Sequence, residues 1–198
     1  MKTIHTFGDS HCYFGWTDII HPINYNIHIH HLGPKLCYSL GRDEININNY
    51  GVEENDIVVF CFGEIDCRCH IHKYINNDKT HKQIIDEIID SYFIQINKNT
   101  SLYKKITMCV YNVVPPIEKH NTYENSEFPY LGTDQERKNY VLYFNERLKE
   151  KCTENNYIFF DVYDKYIDDN GFLSKILGDG CVHIKDGKYI KKFIEDNL

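Results

Sequence analysis

Five short apolar runs alternate with stretches of helical periodicity, and this alternation restricts the chain to an α/β architecture more tightly than any other feature of the sequence. The runs cover residues 2–7, 24–30, 56–62, 104–114 and 157–163. The third contains Ile57-Val58-Val59-Phe60-Cys61-Phe62 without polar interruption, which suits a strand buried on both faces. Pro115-Pro116 ends the fourth, because proline cannot donate to a strand ladder. Over 80–97, Ile84, Ile85, Ile88, Ile89, Phe93 and Ile96 recur at helical spacing. Over 134–155 the stripe is Val141, Phe144, Leu148 and Cys152, opened by the capping-box pattern Thr133-Asp134-Gln135-Glu136. A short last helix is expected over 187–197. The chain therefore predicts a single three-layer α/β/α domain over 1–198, with a parallel sheet of about five strands in flavodoxin-like style. A long polar loop is expected at 117–132. In such sheets ligands bind beyond the carboxyl ends of the strands, so the residues after each strand carry the functional question.

Composition removes several classes of function. Lys and Arg number 22 against 29 Asp and Glu, a formal charge of −7, and this argues against nucleic acid as a partner because phosphate binding needs a basic surface. A hydrophobic content of 42% excludes a wholly disordered chain. No apolar run approaches a membrane span, and the N-terminus lacks the apolar stretch of a signal peptide. A cytoplasmic protein with no membrane partner is expected. The eight cysteines are even in number, but Cys61 and Cys109 lie inside apolar runs of a long chain, so reduced thiols are expected. Cys67-x-Cys69-His70-x-His72 offers zinc-type ligands, yet no second Cys/His pair has finger spacing, and no metal is expected.

Polar residues cluster behind the strands in four blocks. Gly8-Asp9-Ser10-His11 follows the first, His31-Leu32-Gly33-Pro34 the second, and Gly63-Glu64-Ile65-Asp66-Cys67-Arg68 the third. Asp179-Gly180-Cys181-Val182-His183 precedes the last helix. Each block alone has an ordinary reading. Ser10 suits a helix cap, Gly33 a turn and His183 a surface position. Glu64 and Asp66 suit partners of Arg68, one of only four arginines.

Together, in this order, the four blocks resemble the SGNH (GDSL-like) hydrolase superfamily, in a variant similar to sugar-modifying acyl-transfer domains. The resemblance spans the chain from Gly8 to His183. It implies Ser10 as nucleophile, His183 as general base, and an oxyanion hole built from the Ser10 and Gly33 amides. Two departures stand out. Ile65 occupies the place of the family's oxyanion asparagine and cannot donate a hydrogen bond, so Arg68 is the expected substitute donor. Asp179 lies four residues before His183 instead of three, which leaves open whether Asp179 or a backbone carbonyl orients the imidazole. Asp9, His11, Glu64 and Asp66 are expected to contact substrate, the carboxylates Glu64 and Asp66 by holding an amino sugar. The expected activity is acyl transfer through acyl-Ser10 to a sugar, free or nucleotide-linked, with acetyl-CoA as co-substrate and no bound cofactor. The loop 117–132 is the expected acceptor wall. The alternative is a carbohydrate or small-ester esterase. A non-catalytic binding module is disfavoured by the presence of both serine and histidine.

Overall fold

In the computed structural model, which describes residues 2–19, 24–123 and 125–198, five strands form one sheet. They are β1 (Thr3–Gly8), β2 (Asn26–His31), β3 (Ile57–Cys61), β4 (Thr107–Tyr111) and β5 (Ile158–Phe160). Every pairing is parallel, in the order β2-β1-β3-β4-β5. The run without polar alternation, β3, is the central strand and is buried throughout. The chain winds outward in both directions from β1 and β3, so the switch point of the topology lies between their carboxyl ends.

Among the described residues, five α-helices cover the sheet: α1 (Cys37–Arg42), α2 (Ile71–Tyr74), α3 (His81–Thr100), α4 (Asp134–Asn155) and α5 (Lys188–Asn197). Alternate residues of β3 serve opposite layers, as the strand period requires. Val58 and Phe60 pack with Leu40 of α1, Ile85 and Ile89 of α3, and Phe144 and Leu148 of α4. Ile57, Val59 and Cys61 pack with Trp16, Phe160 and the α5 residues Ile190 and Ile194. Both long helices begin with a complete capping box, Thr80 with Gln83 and Thr133 with Glu136. The second is the one expected from sequence.

The sheet ladder is shorter than the apolar runs. Past β4, Val113 leaves the sheet but stays buried, its N–H and C=O both held by the Asn145 side chain at 2.7 and 2.9 Å. Helices α1 and α2 were not marked by periodicity, being six and four residues long. Glu124 of the 117–132 loop lies outside the described residues. The rest of that loop holds one short turn, Lys119–Asn121, and an isolated bridge between Asn125 and Phe128.

All eight cysteines are unpaired. The zinc-like cluster is split among different surroundings: Cys67 is in the core, Cys69 Sγ donates to the Ile65 carbonyl, His70 packs against Tyr38 and Tyr74, and His72 meets Tyr140 Oη. Among the described residues no helix is long and apolar enough to cross a membrane.

Candidate active site

The site begins where β1 ends. A Cβ on Gly8 would sit 2.2 Å from the Cys61 carbonyl oxygen of β3, so only glycine allows the two strands to close at this point. Asp9 then caps a single short turn, Ser10–Cys12. Its Oδ1 accepts from the His11 N–H at 2.9 Å and its carbonyl from the Cys12 N–H at 3.1 Å. The turn sets Ser10 at the carboxyl edge of the sheet, at the switch point.

His183 arrives from the opposite end of the chain, in the loop before α5. Its Nε2 lies 2.9 Å from Ser10 Oγ. Its Nδ1 lies 2.8 Å from Asp179 Oδ2. A carboxylate only accepts, so Nδ1 carries the proton and Nε2 is left to accept from the serine hydroxyl. The other carboxylate oxygen, Oδ1, accepts from the Cys181 and His183 amides at 2.8 and 3.2 Å. The four-residue spacing thus closes a turn on the aspartate, and Gly180, at φ +84°, absorbs the extra residue. The question left open by the sequence is answered geometrically: the Asp179 carboxylate, and no backbone carbonyl, holds Nδ1. The Phe14 ring stacks on the imidazole at 4.1 Å, a contact for which the sequence carries no signal.

The electrostatics suit a neutral base. Burial, then the neighbouring His11, push His183 below the ordinary histidine pKa, against the opposing pull of Asp179. Partial burial acts to raise the Asp179 carboxyl, but the His183 ring N–H and the two loop amides outweigh it and hold it below the usual range.

Ser10 and His183 open into a pocket of about 320 Å³, whose walls include Ile65, Arg68 and Tyr123, Asn125, Phe128 and Tyr130 of the 117–132 loop. Arg68 is fixed in that wall. Its Nε and Nη2 donate to the two Glu64 oxygens at 2.7 and 3.0 Å, and Nη1 donates to the Phe128 carbonyl at 2.6 Å. Its guanidinium lies 5.2 Å from the Tyr130 ring centre. Three of its five N–H groups are used in this way, which ties the loop over the pocket and leaves two N–H groups. The amides of Ser10 and Gly33 make no hydrogen bond among the described residues.

The four residues expected to contact substrate lie behind the site instead. Asp66 is completely buried, and its carboxylate accepts from the Cys37 and Tyr38 amides at 2.6 and 3.1 Å, capping α1. Burial raises it to about 7. Asp9 is also completely buried, in its capping role, and burial raises it to about 6. Glu64 is occupied by Arg68. Burial opposes its ionisation, but Arg68 and His11 hold it down at about 2. His11 is buried beneath His183. None of the four presents itself to an amino sugar, because the turn at Asp66–His70 and the cap at Asp9 aim these side chains at backbone amides and at one another.

No family model and no curated protein matches the sequence. Solved structures do. A member of the lipolytic G-D-S-L family from Veillonella parvula superposes with a TM-score of 0.65 at 14% identity, over 100% of this chain and 98% of that one. The aryl esterase of M. smegmatis superposes at 0.63 and 13% identity over 100% of both chains. An acetyl xylan esterase superposes at 0.59 and 16% identity over 99% of both. The likeness at these identities is one of fold, and the fold is that of the SGNH (GDSL-like) hydrolases.

Proposed function

We propose that this SGNH-fold chain is a serine-dependent ester hydrolase working through an acyl-Ser10 intermediate. The observation that carries the reading is the continuous chain of contacts Ser10 Oγ–His183 Nε2 and His183 Nδ1–Asp179 Oδ2, at 2.9 and 2.8 Å, open to a pocket. A serine hydroxyl is a weak nucleophile until a base takes its proton. His183 Nε2 takes it as Oγ attacks the ester carbonyl, and Asp179 stabilises the imidazolium that forms. The amides of Ser10 and Gly33, with a free N–H of Arg68, stabilise the oxyanion. His183 returns the proton to the leaving alcohol. Water, activated by the same imidazole, then releases the acid from Ser10.

Acetyl transfer from acetyl-CoA to a sugar, the activity expected from sequence, shares every step up to acyl-Ser10. The two differ only in what collects the acyl group. Similar folds that bear the names aryl esterase and acetyl xylan esterase support water as the collector. The test sets the two against each other. An aryl acetate and acetylated sugars are expected to be hydrolysed, and sugars or nucleotide-linked sugars are expected to leave CoA release from acetyl-CoA unchanged. Acceptor-accelerated CoA release with slow ester cleavage would replace hydrolysis by transfer.

Arg68 provides a separate check on the oxyanion. Loss of one donor typically costs about 10²–10³ in kcat, and Arg68→Ala is expected in that range on an aryl ester. Arg68→Lys keeps the charge but loses the planar fork on Glu64, and should be partly active. An unchanged kcat for Arg68→Ala would remove Arg68 from the oxyanion hole.

A further inference from the structure

Under the triad lies a second cluster of ionisable groups, of which the reaction above uses only Arg68. Asp9, His11, Glu64 and Arg68 come together there, and none has a side chain more than 11% exposed among the three with ion-pair contacts, while Asp9 is wholly buried. Two carboxylates face one guanidinium. Arg68 compensates Glu64 through the bidentate pair, which leaves one negative charge in the interior without a partner, and an uncompensated buried charge is costly. His11 stands where the missing positive charge belongs. Its Nε2 is 3.6 Å from Glu64 Oε2, its backbone N–H is held by Asp9 Oδ1, and its ring centre is 5.2 Å from that of His183. The buried Nε2 of His11 has no hydrogen bond closer than this ion pair, and Asp9 Oδ2 is likewise buried without one.

We propose that His11 is a positioning residue, a buried imidazolium whose charge, set behind His183, keeps the catalytic base unprotonated.

The groups facing His11 are Asp9 on its own turn, Glu64 and Arg68 after β3, and His183 before α5. Those facing His183 are His11, Asp179 and Glu64. Burial works against a charge on His11, but Asp9 and Glu64 outweigh it and raise its pKa above the ordinary value. His183 is displaced the other way, with His11 the main charged contributor. The sign is therefore defined. A cation beside His183 disfavours its protonation, so removing that cation raises the His183 pKa and moves loss of the free base to higher pH. For two charges about 5 Å apart at an effective dielectric constant of about 20, a shift of about two pH units is expected.

This inference rests on His183 being the base, so the experiment reads the imidazoles directly and needs no turnover. In the wild-type chain, ¹⁵N NMR of the histidine rings across pH is expected to show His11 still protonated above pH 6.5 and His183 losing its proton below it. In His11→Gln the His183 midpoint is expected to move up by about one unit or more, and His11→Leu, which also removes ring polarity, is expected to move it the same way. Where ester turnover is measurable, the acid limb of kcat/KM should move up with it, the high-pH plateau changing much less. A His183 midpoint unchanged in a folded His11→Gln or His11→Leu chain would overturn the proposal, as would a wild-type His11 that loses its proton at a lower pH than His183 does. An absent esterase activity with the NMR shift intact would instead count against the hydrolase reading alone.

Discussion

Ser10→Ala is expected to lower kcat on an aryl acetate by about 10⁶ while leaving the fold intact. The size follows from the way the site acts as a unit. Without Oγ there is nothing for His183 to activate, and comparable triads lose about that much when the serine alone is removed. The fold is expected to survive because the substitution deletes one hydroxyl whose hydrogen-bond partner is His183, at a partly exposed position at the edge of the sheet. The backbone features that form the turn, the Gly8 close approach and the Asp9 cap, are untouched. Circular dichroism and thermal melting check the fold, and stopped turnover checks the role. Retained turnover in a folded Ser10→Ala chain would remove the serine mechanism.

His183→Ala is expected to cost nearly as much, again about 10⁶, since the base and the nucleophile fail together. Asp179→Ala is expected to cost about 10⁴. That figure is larger than the altered spacing alone suggests, and the reason is structural. The Asp179 carboxylate holds Nδ1 at 2.8 Å and also gathers the Cys181 and His183 amides, so its loss frees both the tautomer and the turn that presents the imidazole. Asp179→Asn separates the two effects. It keeps an acceptor oxygen for the turn amides, but an Nδ2 facing Nδ1 favours the wrong tautomer. A kcat within tenfold of wild type for Asp179→Ala would mean that Ser10 and His183 act as a dyad.

Much of this architecture was legible in the sequence because it rests on patterns of one residue type. The unbroken apolar run at 57–62 could only be a strand covered on both faces, and it is the central one. Thr133 and Glu136 announced α4 three residues apart, and they bond as that spacing requires. The order of the four polar blocks placed Ser10 and His183 at the same edge of the sheet although 173 positions separate them. Side-chain direction was not legible. Asp66 sits two residues before Arg68, but within the turn at Asp66–His70 it aims back at the α1 amides while Arg68 faces the pocket wall. The backward aim could not be read from the sequence because α1, the element that receives it, is too short to show a period. The function of His11 was hidden for a related reason. Its partners come from three separate segments, and only the folded chain shows Arg68 taken up by Glu64 with a second buried carboxylate, Asp9, beside it.

The acyl-enzyme is the central claim, and it is measured most directly by acid-quenched mass spectrometry of the chain mixed with excess aryl acetate. Peptide mapping is expected to place a single acetyl group on Ser10. It should appear in a burst stoichiometric with enzyme, accumulate when deacylation limits turnover, and vanish in both Ser10→Ala and His183→Ala. Turnover that leaves Ser10 unmodified in every quench, or an acetyl group carried instead by Cys69 or Cys181 and persisting in Ser10→Ala, would contradict the account.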